Sequence, residues 1–351
     1  MNKKIALLAG DGIGPEITRQ AVKVLDAIAQ KFKHDFIYRR ALAGAAAIAH
    51  TGSPMPEETL DICLDSDAVL FGAIGDPKYD DDPNTKVRPE QGLLKIRKSL
   101  GLYCNIRPIT AYEALLDRSP LKKENIKGVD FVIYRELTGG IYFGEKARSS
   151  HWAYDQCSYS ANEIERIAHA AFKATLARRK KLTLVDKANV LETSRLWREL
   201  VKKIAEDYPE VGVDFLFVDN AAMQIILKPF DFDVLLTENM FGDILSDEAG
   251  VITGSIGLSP SASVGEKNAL FEPVHGSYPQ AAGKNIANPL ACILSAAMML
   301  DYLGLSAEAR AVRKAVDYSI NHGKSTIDIC SKQAMGTEEV GDFLVKELFR
   351  N

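Results

Sequence analysis

Short apolar runs of strand length alternate along this chain with stretches whose apolar residues recur every three or four positions. That alternation constrains the fold more than any other feature, because strand–helix–strand succession packs helices against the faces of a mostly parallel sheet. "KIALLA" leads into a helical pattern with apolar residues at Ile17, Ala21, Val24, Leu25, Ile28 and Phe32, near the 3.6-residue period. "DAVLFGAI" reads as a fully buried strand and "EQGLLKIRKSL" as a helix. "LYCNIRPI", "VDFVIYREL", "LTLVDKA", "VDFLFVD" and "FDVLLT" read as further strands, with helices between most of them. Residues 141–159 break the pattern: aromatic and small polar residues alternate there without a helical stripe, as suits a β-arm. From residue 288 onward the chain reads as helices alone.

A length of 351 residues predicts about two domains, and with no linker in sight the chain is expected to cross between them more than once. The formal net charge of −4, with 26% charged residues, gives no pointer to a polyanion, and no nucleic-acid partner is expected. Five widely spaced cysteines without a C-x-x-C fit reduced thiols in a cytoplasmic compartment and offer no zinc site. The apolar run Ile5–Ala9, closed by Asp11, is too short for a signal-peptide core. Leu290–Leu300, bounded by Pro289 and Asp301 and interrupted by Ser295, is expected to be a buried helix and not a membrane span.

"GDGIGPEI", residues 10–17, ends a strand in glycines and opens a helix, a place where phosphates bind. It fails the dinucleotide fingerprint G-x-G-x-x-G twice. Pro15 (or Ile17 in the alternative register) stands where the third glycine belongs, and Arg39 and Arg40 stand where the ribose-binding acid is expected. "EPVHGSYPQAAGKNIANP", residues 272–289, is no P-loop either. Six residues separate Gly276 from Gly283, and Asn285 follows Lys284 in place of Ser or Thr.

Chemistry concentrates in "NMFGDILSDEAG". Asp243 and Asp247, four apart on a helical pattern, project two carboxylates from one face, an arrangement that favours a cation between them. Mg²⁺ or Mn²⁺ prefers such oxygen ligands. The competing reading leaves Asp243 at a helix N-terminus and Asp247 in solvent. Asp219, read as ending the strand "VDFLFVD", is a candidate third ligand. Arg97, Arg107 and Arg135 are candidate carboxylate binders, since guanidinium meets carboxylate bidentately. For Arg97 the alternative is a solvated helix face shared with Lys95 and Lys98. Tyr142 and Lys187 are candidate acid and base.

"GDGIGPE", "RPEQGLLKIRKSLGLYCNIRP", "VIYRELTGGIYFG", "VDKANVLETSRLWRE", "FVDNAAMQI", "NMFGDILSDEAG" and "FEPVHGSYPQAAGKNIANP", taken in order, span nearly the whole chain. Together they resemble the β-decarboxylating dehydrogenases, the isocitrate/isopropylmalate dehydrogenase family. The resemblance implies that family's own α/β fold, which is not a Rossmann domain: two α/β domains with the active-site cleft between them. Residues 1–101 with 254–351 would bind cofactor. Residues 102–253 would carry dimerisation and catalysis, with a β-arm near 141–159. It also implies a homodimer with shared sites, in which Lys187 and Asp219 serve the partner chain.

The implied reaction is NAD-dependent oxidative decarboxylation of the small molecule 3-isopropylmalate to 2-oxoisocaproate, a step of leucine biosynthesis. Arg97, Arg107 and Arg135 would clamp carboxylates, and Asp219, Asp243 and Asp247 would hold Mg²⁺ or Mn²⁺. Lys187 would take the hydroxyl proton and Tyr142 would protonate C3. Glu90, Leu93 and Leu94 match positions facing the isopropyl group, with Val190 and Asp219 also touching substrate. Burying its three carbons at about 0.8 kcal/mol each would favour it over malate by roughly fifty-fold. Ordinary core packing is the alternative role for the two leucines. NAD contacts carried over by position are Ile13, Gly75, Asp76, Pro77, Lys78 and Glu272. In the later loop they are His275, Gly276, Ser277, Gln280, Ala281 and Asn288. Three departures from the family pattern stand out: Ala45 and Ala49 in "GAAAIA", Asp76 where glycine is common, and Gln280 where NAD users carry aspartate. A tartrate or D-malate dehydrogenase of the same family, and a non-catalytic regulatory homologue, are the competing functions.

Overall fold

The computed structural model describes residues 1–79 and 85–350. The chain forms two compact units, Met1–Leu102 with Gly254–Asn351, and Tyr103–Thr253.

In the first unit the strands run in the order Asp35–Ala41, Asn2–Gly10, Ala68–Ala73, Ala269–Pro273, Pro260–Val264. The first three pairings are parallel and the last antiparallel. Ala68–Ala73 is buried at every position, as expected of a strand covered on both faces. Neither Pro260–Val264 nor Ala269–Pro273 is legible as a strand in the sequence. "PSASV" carries no apolar alternation, and its small residues are buried because helix Leu290–Tyr302 packs closely on them. That helix is itself buried along nearly its whole length, and helices Ser306–Asn321 and Thr337–Leu348 follow it. Among the described residues no helix is long and apolar enough to cross a membrane.

In the second unit the strand order is Cys104–Thr110, Asp130–Glu136, Val234–Thr237, Lys181–Asp186, Gly212–Phe217. The first pair is antiparallel and the rest parallel. Strand periodicity sorts the core. Val132 and Tyr134 join Trp197 and Phe172 on one face, while Phe131 and Ile133 join Phe232 and Leu245 on the other. Between Gly140 and Ser160 the chain makes a short antiparallel hairpin, Lys146–Arg148 against Ala153–Asp155, with Trp152 and Tyr154 stacked and exposed. Asp219 corrects the sequence reading: the strand stops at Phe217, and Asp219 lies in the first turn of helix Val218–Leu227. An acid there complements the unpaired N–H groups of the helix start.

Candidate active site

Helix Asn239–Gly250 packs on strand Asp130–Glu136 and on the turn Gly140–Tyr142, and the three bring most of the expected chemistry together. Glu238 starts the helix by accepting the Phe241 N–H at 2.9 Å. One helical turn further on, Asp243 accepts from the Arg135 Nη1 and, at 3.0 Å, from the Tyr142 hydroxyl. Arg107, on the neighbouring strand, reaches the same helix. Its Nη1 donates to Ser246 Oγ at 2.6 Å and to Asp247 Oδ1 at 3.2 Å, and its Nη2 lies 3.5 Å from Asp243 Oδ1. Arg107 and Arg135 are both buried, so their charges are compensated by partners and not by water.

Electrostatics assigns protonation states. Burial pushes the Asp243 carboxyl up, but Arg135 and Arg107 outweigh it and hold the group below the usual carboxylate range. Burial first, and then the Asp243 charge, push Tyr142 above the ordinary phenol value, so it stays protonated near neutrality. Asp243 and Asp247 share one helix face, as the spacing predicts. Two guanidiniums balance two carboxylates, and the cluster is close to neutral. Its exposed donor set, oxygen-only and anionic, fits a hard divalent cation on one open side. Among the described residues no three acidic, histidine or cysteine groups of this chain close such a site.

Lys187 and Asp219 make a pair of their own, Nζ to Oδ1 at 2.8 Å. The Lys187 hydrogen bond holds the Asp219 carboxyl below its usual range. Both residues open toward solvent, Asp219 with 67% of its side chain exposed, and Val190 beside them is exposed as well.

In the first unit the glycine turn packs on the 275–277 loop. Gly12 adopts φ +56°, with the Ser277 carbonyl so close that no Cβ fits, and the Ile13 N–H donates to that carbonyl at 2.8 Å. Asp11 ties neighbouring segments together, accepting the N–H groups of Ala45, Ala46 and Gly75 at 2.9, 2.9 and 3.0 Å. It thereby caps helix Gly44–Thr51, whose own cap residue Ala43 has no acceptor. Ala45 contributes only its backbone to this contact, and nothing in the structure explains Ala49.

The His275 Nδ1 lies 2.9 Å from the Gly276 carbonyl, and its buried Nε2 has no partner. Burial pushes this imidazole below its usual value, so it is neutral, and with Nδ1 directed at the Gly276 carbonyl the lone pair falls on Nε2. That orphaned acceptor fits a donor on a bound cofactor. Asp76 pairs with Lys78 at 2.9 Å, next to Pro77, and Ala281 is buried under an exposed Gln280. Asn288 is committed to the scaffold: its Oδ1 caps Leu290 N–H at 3.0 Å and its Nδ2 donates to Asp328 at 2.9 Å.

Arg97 is not on a solvated face. Its side chain is 12% exposed and pairs with buried Glu272 at 3.1 Å, joining a substrate candidate to a cofactor candidate. Leu93 is half-buried and Leu94 is 36% exposed, so neither is ordinary core, and Glu90 beside them is exposed.

Sequence reasoning missed Asn239, Ser246 and Asn105. Asn105 Oδ1 accepts from Arg107 Nε at 2.8 Å. Asn239 lies four residues before Asp243 on the same helical face, and that spacing was the available signal.

The family model for isocitrate/isopropylmalate dehydrogenase matches residues 4–344. A 3-isopropylmalate dehydrogenase of Bacteroides fragilis is 55% identical over 98% of both chains. One of Aquifex aeolicus is 51% identical over 99% of this chain and 97% of its own. The solved isocitrate dehydrogenase of Methylococcus capsulatus superposes with a TM-score of 0.89 at 36% identity, over 99% of each chain. The chain belongs to the isocitrate/isopropylmalate dehydrogenase family. It is an oxidoreductase, a decarboxylating dehydrogenase with a small-molecule substrate.

Proposed function

We propose that the chain oxidises and decarboxylates 3-isopropylmalate, using NAD and Mg²⁺ or Mn²⁺, as a leucine-forming step. The observation that carries this reading is the cluster of Arg107, Arg135, Tyr142, Asp243 and Asp247. Its near-neutral balance becomes about +2 with a divalent cation, which matches the two carboxylates of a malate. When bound, the dinucleotide supplies a hydride acceptor and the metal stabilises the enolate that loss of CO₂ leaves.

The protein residues orient and move protons. Arg107 and Arg135, with Arg97, bind the carboxylates. Tyr142, kept protonated, donates its phenolic proton to C3 after CO₂ departs. Lys187 takes the C2 hydroxyl proton as the hydride leaves. Because Lys187 and Asp219 pair with each other and face solvent, we assign both to the site of a second copy of this chain. The partner's Asp219 would then supply the metal ligand that, among the described residues, one chain does not provide. Partly exposed Leu93 and Leu94 support an apolar branch on the substrate, as does the substrate named for the relatives.

Gln280 offers the ribose an acceptor without the charge that repels a 2′-phosphate, so NAD is preferred with softened discrimination against NADP. The deciding experiment follows NADH formation with 3-isopropylmalate, malate and tartrate in parallel, with Mg²⁺. Turnover of 3-isopropylmalate at the highest kcat/KM supports the proposal. Preference for malate or tartrate overturns it, and equal or better use of NADP overturns the NAD assignment.

A further inference from the structure

We propose that Asn239 is a positioning residue that fixes the Arg135 guanidinium and the Tyr142 turn against one another. The inference rests on reading the Arg135–Asp243–Tyr142 cluster as the active site. Asn239 is 1% exposed at the start of the helix that carries Asp243 and Asp247, and each of its polar atoms is used. Its Oδ1 accepts from Arg135 Nε at 3.0 Å and from Nη2 at 2.8 Å, so one edge of the guanidinium is held in a fork. The fork leaves Nη1 directed at Asp243. The Asn239 Nδ2 donates at 3.0 Å to the carbonyl of Gly139, the residue that leads into the turn bearing Tyr142. One amide plane therefore spans three elements: a strand, a turn and a helix.

The backbone of Asn239 is held as well. The Asn239 N–H donates to the Tyr159 hydroxyl at 3.0 Å, and the hydroxyl donates to Glu238 Oε2 at 3.0 Å. The Tyr159 ring lies against the Gly139–Gly140 backbone, where a Cβ on Gly139 would approach it to 2.7 Å. Tyr159 thus presses on the same turn that Asn239 tethers.

The side-chain type follows from charge. Both an aspartate and an asparagine can accept from the guanidinium edge. An aspartate would set a second carboxylate beside an arginine that already pairs with Asp243, weakening its pull on a substrate carboxylate, and it would lose the donor to Gly139. Asparagine orients the arginine without adding that charge.

The test is steady-state kinetics of the Mg²⁺-loaded enzyme at saturating NAD, comparing wild type, Asn239→Ala, Asn239→Asp, Arg135→Lys and the Arg135→Lys/Asn239→Ala double variant. We expect both Asn239 variants to raise KM for 3-isopropylmalate at least ten-fold, with KM for NAD within two-fold of wild type. In KM for the substrate the double variant should be no more than two-fold worse than Arg135→Lys, because Asn239 reaches the substrate carboxylate only through that arginine, its tether on the Tyr142 turn being read in kcat. Should Asn239→Ala fail to fold, Asn239→Ser, which keeps a small polar residue in the first helical turn, takes its place in the same cycle. An isosteric Asn239→Asp with unchanged KM, or additive losses in the double variant, overturns the proposal. Where the wild type prefers another 2-hydroxy diacid, that acid replaces 3-isopropylmalate, so the functional reading fails separately. A wild type silent on every such acid overturns both.

Discussion

Tyr142 holds its proton because burial and the Asp243 charge both oppose ionisation. Removing the hydroxyl alone should therefore remove a proton donor without disturbing substrate binding. Tyr142→Phe is expected to lower kcat by about 10²–10⁴ with little change in KM, as read by steady-state assay. Unaltered turnover would take Tyr142 out of the chemistry. Gly140, two residues earlier, occupies φ +75°, and a Cβ there would collide with the Tyr159 hydroxyl. Gly140→Ala meets both a left-handed backbone and an occupied space, so it should cost more than ten-fold in kcat along with a lowered melting temperature. A purified variant with normal values of both would contradict this packing.

Elements in this molecule are joined by buried polar contacts that local sequence does not announce. His34, in the turn after helix Gly14–Phe32, stacks between Phe32 and Phe36 and meets Glu308 at 2.6 Å. Glu308 sits in the first turn of helix Ser306–Asn321. Burial is the largest single influence and raises its pKa, but the His34 hydrogen bond, the helix-start N–H and the nearby positive charge of His34 and Arg310 together outweigh it, and the net shift is downward. A depressed carboxyl pKa stabilises the fold above the ordinary glutamate value near 4.3, and the contribution fades as pH falls through the lowered folded value. Glu308→Gln should therefore melt roughly 2–4 °C lower than wild type at pH 5–6, for about 1 kcal/mol lost. Calorimetry should find that gap narrowing below pH 4. A gap that widens on acidification would refute the assignment.

At the scale of the whole molecule the Lys187–Asp219 pair is the informative feature, because it faces solvent while, among the described residues, Asp243 and Asp247 have no third acid beside them. If sites are shared between two copies, inactive Asp219→Asn and Asp243→Asn chains should complement when mixed. A heterodimer then regains one site with both aspartates intact, and about a quarter of wild-type activity is expected from random pairing of equal amounts of the two chains, with one intact site in each mixed dimer, by the symmetry of a two-fold interface. Proven subunit exchange without recovered activity would exclude shared sites.

The α/β class is written in the chain's own periodicity, because burial on sheet faces imposes a period of two and on helix stripes a period near 3.6. Nearly every strand and the three closing helices were legible in this way. That periodicity also puts Asp243 and Asp247 on one face, since four-residue spacing on a helix is local geometry. Only the tertiary structure decided what those carboxylates meet. Arg107, Arg135 and Tyr142 come from segments about a hundred residues or more away, and no local period records such contacts. The same holds for Pro260–Val264, whose small side chains are buried by a neighbouring helix and not by their own pattern. Asn239 is the sharpest case. Four-residue spacing puts it on the aspartate face, but its two amide ends acquire meaning only when a strand arginine and a turn carbonyl arrive at hydrogen-bonding distance.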